Sequence, residues 1–294
     1  MVSGAWNRWG PDDELGAANL LTPEHVLAAL RIPRTGRVYP LAQPIRTTGT
    51  PRSDTGTAVH LLAQDAGDYA TGQVAPIGDG QSVATDYLFL RIHGTATHID
   101  ALGHVWSGQS LYNGHPASTM GSRGLLRCGI DKLPGIVTRG VLLDVAGWQG
   151  KRHLDPSHEI TVEELTGCAE SEGVEVRRGD AVLLRTGFNA MYAEDPERYI
   201  WEFAGIGLEG ARWLADRDVV LVGSDTLGVE VRRREAAWEL PVHLHLLHRH
   251  GIYLVELLDL DRLAADAVHE FLFLGAPLPL AGGTGAPISP LAIG

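Results

Sequence analysis

His93-Gly94-Thr95-Ala96-Thr97-His98-Ile99-Asp100-Ala101-Leu102-Gly103-His104 sets three imidazoles and a carboxylate within twelve residues. Imidazole nitrogen with carboxylate oxygen suits zinc, manganese or iron(II), and a centre with few protein ligands keeps a position open for water or substrate. The stretch therefore predicts a metal-dependent hydrolase. In an extended segment residues two apart face the same side, so His98 and Asp100 project together and can share one ion. His104 follows Ala101-Leu102-Gly103, where the glycine permits a turn back toward the ion, and it serves either as a ligand or as a proton carrier. His93 lies five residues before His98, an odd separation that points it to the opposite face of a regular strand. A β-bulge at Gly94 would restore the phase. A lone histidine is most often an ordinary hydrogen-bonding residue of core or surface, but so dense a cluster outweighs that explanation.

Working outward, the segments near Arg37 to Ala42, Val59 to Ala63, Tyr87 to His93 and Gly140 to Val145 are rich in β-branched or aromatic residues and read as strands. Thr22-Pro23 opens a helix that ends before Pro33, with Thr22 as N-cap and proline in the first turn. Thr161-Val-Glu-Glu164 is a capping box for a helix to about Glu172. Alternation follows: a strand over Ala181 to Arg185, a helix over Leu208 to Asp216, a strand over Val219 to Gly223. It repeats with a helix over Val242 to Arg249 and a strand over Ile252 to Leu257. Val268 to Leu274 reads as a last strand, and the Pro- and Gly-rich tail from Gly275 to Gly294 as a surface loop. No linker or repeat divides the chain, so residues 1–294 are expected to form one α/β domain with mixed sheets.

The bulk numbers narrow the partner. The chain has 294 residues, 44% hydrophobic and 20% charged, which suits a globular protein. Its 36 acids against 24 bases give a net charge of −12, which argues against nucleic acid or an anionic membrane surface and for a small organic substrate. Cys128 and Cys168 lack the paired spacing of a thiolate zinc site and read as reduced structural thiols. With no apolar leader at the N-terminus and no run of roughly 18 apolar residues, a cytoplasmic protein is expected.

A second concentration of histidine, Pro241-Val242-His243-Leu244-His245-Leu246-Leu247-His248-Arg249-His250, precedes the apolar run Ile252-Tyr253-Leu254-Val255-Glu256. A carboxylate in such a run, Glu256, must be neutral, paired or metal-bound. On a helix His243 and His245 cannot share a face, so one of these histidines is expected at the site and the others at the surface or at the helix C-terminus. Gly205-Ile-Gly207-Leu-Glu-Gly210 matches a dinucleotide glycine pattern, with Glu230 twenty residues on, yet no strand leads into it. Nucleophile-elbow, Walker and His-Glu-x-x-His patterns are absent from the sequence, which removes serine hydrolases, P-loop NTPases and zincins.

The run His98-Ile-Asp100-Ala-Leu-Gly-His104-Val-Trp106, followed by Leu111-Tyr112-Asn113-Gly114, resembles the signature of the cyclase superfamily, which includes bacterial kynurenine formamidase, isatin hydrolase and a dienelactone hydrolase. The resemblance extends through Trp9-Gly-Pro-Asp-Asp-Glu-Leu-Gly16, Arg185-Thr-Gly187, Gly223-Ser-Asp225-Thr226, Pro241-Val-His243, the Glu256 strand and Pro277-Leu-Pro-Leu-Ala-Gly-Gly-Thr-Gly285. It implies a swivelling β/β/α domain assembled as a homodimer or homotetramer. It also implies zinc or manganese on His98 and Asp100, with His243 and Glu256 completing or flanking the site and His104 as acid/base; one or two ions are expected, with His93 from the cluster reading as a further candidate ligand. The family's first ligand histidine stands four residues before the second, a position that Gly94 occupies here, with His93 one residue further away.

The expected chemistry is hydrolysis of a small amide, cyclic amide or lactone. A cyclase or dehydratase on a biosynthetic intermediate would use the same groups, and a metal-free member with a binding role is the third class. Trp106, Tyr112 and Trp9, with Trp6, are candidate aromatics for the substrate pocket, and core packing is an equal account of each tryptophan.

Overall fold

The computed structural model describes residues 4–47, 56–235 and 239–294. Met1–Ser3, the start of the stretch read above for a leader, lie outside them. Strands β1 Val38–Pro40, β2 Val59–Gln64, β3 Thr85–Phe89, β4 His98–Asp100, β5 Met120–Gly121, β6 Gly124–Leu125, β7 Ile136–Leu143 and β8 Glu159–Ile160 come first. They are followed by β9 Ala181–Leu184, β10 Gly205–Ile206, β11 Leu221–Ser224, β12 Tyr253–Glu256, β13 Glu270–Gly275, β14 Gly285–Pro287 and β15 Leu291–Ile293. Nine of them form one mixed sheet in the order β1-β15-β13-β7-β9-β11-β12-β4-β14. Its centre, β7-β9-β11-β12, is parallel, and every pairing outside that centre is antiparallel.

The chemistry of the strands explains this order. Ala181-Val-Leu-Leu184 and the Leu143 end of β7 are buried throughout, as parallel strands covered on both faces must be. Helices Pro23–Ala29 and Val162–Glu172 pack against β7, and the Leu244–His250 segment packs against β12. The caps are those the sequence predicts: Thr22 accepts from the His25 N–H, and Thr161 and Glu164 form a reciprocal capping box.

The tail departs from expectation. Instead of a surface loop it supplies β14 at one edge of the sheet and β15 next to the other edge. Four Cα steps of 3.8 Å join Pro287 to Leu291, a reach of about 15 Å. Seven strand spacings of a flat sheet would separate β14 from β15 by roughly 34 Å. The sheet must therefore curl, and the tail is the thread that draws its two edges together. Pro and Gly hid this because a strand of three residues needs little propensity when its partners are already in place.

The stretch expected as a strand over Tyr87 to His93 stops at Phe89. β2 and β3 make a separate ribbon, with Val59, Leu61, Leu62, Tyr87, Leu88 and Phe89 all exposed. Among the described residues no helix is long and apolar enough to cross a membrane.

Candidate metal centre

β4 is only three residues long, but it lies between β12 and β14 and is buried throughout. Its antiparallel register sets His98 opposite Glu256, which places the two side chains on one face. His98 Nε2 lies 3.2 Å from Glu256 Oε2 and 3.6 Å from Asp100 Oδ1. The same-face projection of His98 and Asp100 read from their spacing is what the strand delivers.

His93 arrives by a route the sequence did not suggest. No bulge is present: Ile92–Thr95 is a helical turn broken at Gly94, whose φ of 85° lies in the left-handed region that glycine enters without steric cost. That kink turns the His93 ring inward, with Nδ1 2.9 Å from Asp100 Oδ1 and Nε2 3.1 Å from the Thr284 hydroxyl. The additional residue is taken up in a turn rather than in a strand.

His104 closes a tight turn, its N–H donating to the Ala101 carbonyl at 2.9 Å. Gly103 is needed there for space, since a Cβ would stand 2.7 Å from Leu125 Cδ1. The His104 ring stacks flat on His93, 3.7 Å between centroids. His243 comes from the far side, where Pro241–His243 is helical and Leu244–His250 continues as a π-helix rather than as the regular helix expected. Its Nε2 lies 3.2 Å from Glu256 Oε1 and 3.7 Å from Asp100 Oδ2. The other histidines of that segment lie elsewhere: His248 meets the Ser110 carbonyl, and His245 packs beside His250.

Two ligand groups result, His93/His98/Asp100 and Asp100/His243/Glu256, with Asp100 common to both. His93 Nδ1, His98 Nε2, both Asp100 oxygens and Glu256 Oε1 are buried and have no hydrogen-bond partner. A buried carboxylate without donors costs several kcal/mol unless a cation meets it. The unpartnered atoms are nitrogen lone pairs and carboxylate oxygens aimed at one another, so the donor set fits a divalent ion. The outer nitrogens support this. His98 Nδ1 donates to the Ala96 carbonyl at 2.9 Å, and His243 Nδ1 donates to Glu230 Oε1 at 2.5 Å, which leaves each Nε2 to face the cluster.

The electrostatics follow from this crowding. Burial pushes the Asp100 carboxyl upward, but His104, His93 and His98 outweigh it and hold the group ionised. Burial likewise opposes charge on His98 and His243, and their carboxylate neighbours overcome it and raise both. His104 goes the other way. Burial lowers it to about 4 against the pull of Asp100, so its imidazole is neutral at physiological pH.

Beside the cluster opens a cavity of about 260 Å³ whose floor includes His104, His243 and Glu256. Ile200, Trp201, Phe203, Leu227 and Leu240 wall it, and Arg91 stands on its lining. The aromatics expected there lie elsewhere. The Tyr112 ring is fully buried and its hydroxyl donates to Asp13; Trp106 is exposed; Trp9 lies under the Arg8 guanidinium. None of the three lines this cavity. Glu230 is the residue sequence reading passed over. It appeared only as the acidic partner of the rejected glycine pattern, and it stands thirteen positions before His243, a separation that no periodicity reports.

Comparison with known proteins settles the family. The "Putative cyclase" family model matches residues 38–231. A crystal structure described as a novel cyclase is 32% identical, with a TM-score of 0.90 and 99% of each chain covered. The chain belongs to the cyclase family. Isatin hydrolase A from Labrenzia aggregata shares the fold at 23% identity, over 87% of this chain and 93% of its own, with a TM-score of 0.63. A protein described as a potential metal-dependent hydrolase with cyclase activity does so at 22% identity and a TM-score of 0.54, over 87% of this chain and 98% of its own. No curated protein matches. The short glycine-pattern strand of this cyclase-family chain, β10, does lead into helix Leu208–Ala215, contrary to the sequence reading. Any Cβ at Gly207 would meet Glu159 Oε1 at 2.0 Å, so a carboxylate already stands where a phosphate would have to sit.

Proposed function

We propose that this cyclase-family protein is a metal-dependent hydrolase of a small amide, cyclic amide or lactone. The observation that carries the reading is the convergence of five buried, unpartnered donor atoms from His93, His98, Asp100 and Glu256 beside a cavity floored by His104. His98, Asp100, His243 and Glu256, with His93, would hold zinc or manganese. A divalent ion there supplies Lewis acidity, lowering the pKa of water from about 15.7 toward about 7 and polarising a carbonyl.

The chain's own groups supply the rest. His104, neutral at physiological pH, accepts the proton of the attacking water at its imidazole nitrogen and returns it to the leaving nitrogen or oxygen. Glu230 and the Ala96 carbonyl fix the rings of His243 and His98. Trp201 and Phe203 offer aromatic surface to the organic part of the substrate and exclude water from the floor. The two relatives described as an isatin hydrolase and as a potential metal-dependent hydrolase with cyclase activity accord with this chemistry. The assembly of two or four copies implied by the resemblance is part of the same proposal.

The test combines elemental analysis of protein purified without added metal with a screen of aryl formamides, cyclic amides and lactones. Stoichiometric zinc or manganese and turnover of one class are expected. Protein that binds no ion when both metals are supplied in excess would refute the reading.

A further inference from the structure

Two arginines stand on the lining of the cavity, and they differ in how they are held. Arg232 is partnered, and its backbone is tied to Phe203 by hydrogen bonds of 3.2 and 2.9 Å. Arg91 is exposed and forms no ion pair or hydrogen bond among the described residues. Its direction is set by the backbone. Arg91 is extended, at φ −81° and ψ 121°, and stands two residues before His93, so both side chains fall on one side of the chain. Both line the cavity, and Ile92 between them does not. Glu239 shares that lining without forming an ion pair with Arg91, so the two stand too far apart to neutralise each other. The other carboxylates there are already engaged, Glu230 by His243 and Glu256 by the ligand cluster. In a chain of net charge −12, the cavity thus offers an anion one guanidinium that no described residue answers.

We propose that Arg91 is the specificity residue of this site, receiving a carboxylate carried on the organic part of the substrate, away from the bond that is cleaved. The substrate class is then an aromatic amide or lactone that is already an anion before hydrolysis. A planar guanidinium meets a carboxylate through two parallel N–H···O bonds, which fixes orientation as well as charge. Two extended residues span roughly 7 Å, about the breadth of one substituted aromatic ring. An arene lying against Trp201 and Phe203 can therefore place its carboxylate at Arg91 and its scissile carbonyl at the His93 end of the cavity. The same walls keep away part of the water that makes an open surface ion pair weak. The proposal rests on the hydrolytic reading above for the place of the scissile bond, whereas capture of the anion does not depend on the reaction.

The test first reads binding without turnover. Full-length protein as purified is titrated, by ligand-detected NMR, with benzenesulfonate, a poor metal ligand, and with its neutral analogue methyl phenyl sulfone. Wild type is expected to hold the anion about 10- to 100-fold more tightly than the sulfone, and the ratio should shrink in high salt. Arg91→Gln should bring the ratio close to one, and Arg91→Lys should restore part of it. Glu239→Gln removes the opposite charge from the same lining and should not weaken the anion. Melting and metal analysis of each variant show that fold and centre are intact; if Arg91→Gln does not fold, the partial loss in Arg91→Lys is the reading. Aryl formamides with and without a ring carboxylate then give the kinetic counterpart, a KM for the anionic member that rises in Arg91→Gln. Equal binding of the two probes by wild type, a preference that survives in Arg91→Gln, or a loss in Glu239→Gln as large as in Arg91→Gln overturns the assignment. Hydrolysis of neutral substrates with no preference that depends on Arg91 overturns it too and leaves the reaction standing. Binding that depends on Arg91, in a protein that hydrolyses no amide or lactone, supports the anion site and overturns the reaction instead.

Discussion

At the scale of single residues, the spacing of His98 and Asp100 on one face of a strand was legible because side-chain alternation depends on nothing outside the strand. His104 and Asp100 answer for different parts of the chemistry, so their variants should separate. His104→Ala removes the proton carrier but no atom of either ligand group, and turnover is expected to fall by about 10²- to 10⁴-fold with metal content retained. Asp100→Ala removes the residue common to both groups, and both activity and bound metal should be lost. Metal analysis beside steady-state kinetics checks the pair; a His104→Ala enzyme with near-normal kcat would strip His104 of its role. Glu230 and the cavity walls Trp201, Phe203 and Leu240 were not legible: Trp201 is the last residue of the short helix Pro196–Trp201, the others lie outside the named strands and helices, and tertiary packing brings all four together. Asp225 shows the converse. Quoted as part of a family motif, it proves to be a staple, its buried carboxylate accepting from the backbone N–H groups of Thr186, Gly187 and Phe188.

At the scale of elements, the starts of the capped helices and the buried strands β9, β11 and β12 were readable within a residue or two, since both signals are local, whereas β7 begins four residues before the Gly140 at which it was read. The failures share one cause. β14, β15 and the turn at Gly94 are short pieces whose conformation is imposed by neighbours, so composition alone suggested loop, loop and strand. β14 has a consequence for the centre. Gly285 pairs with Asp100, and a Cβ there would stand 2.7 Å from the Ile99 carbonyl and 2.9 Å from His93 Cε1. Neither neighbour can retreat freely, because the carbonyl is backbone and the ring is packed against His104. Gly285→Ala should therefore cost about 1–3 kcal/mol of stability, the usual penalty of overpacking, and weaken zinc binding through the His93 half. Denaturant melts with and without zinc measure both. A fully stable variant with unaltered binding would mean that the tail strand does not hold the ring.

At the scale of the whole molecule, curling of the sheet brings β4, β12 and the His243 segment around a small volume that concentrates two carboxylates in the interior. Without a cation that volume works against folding, so chelation should destabilise the entire protein. An ion at a hundred times its dissociation constant contributes about 2.7 kcal/mol, and its removal should lower Tm by roughly 4 °C in a calorimetric scan. An unchanged Tm would show that the carboxylates are balanced without metal. A second whole-molecule property stems from the histidines outside the centre. Burial holds His245 at about 4, with His250 and Arg249 adding to it, and burial also lowers His25, His248 and His250. In the unfolded chain each imidazole binds its proton near 6.5. Between about 6.5 and about 4 the unfolded state thus takes up protons that folded His245 refuses. Stability from this source is complete above 6.5 and is lost as pH falls toward 4. His245→Gln cannot protonate in either state, so its denaturant midpoint should drop less than that of wild type between pH 7 and pH 4.5. Because the metal ligands are common to both proteins, their own titration cancels in the comparison. Parallel pH curves for the two proteins would show that His245 is charged in the folded state.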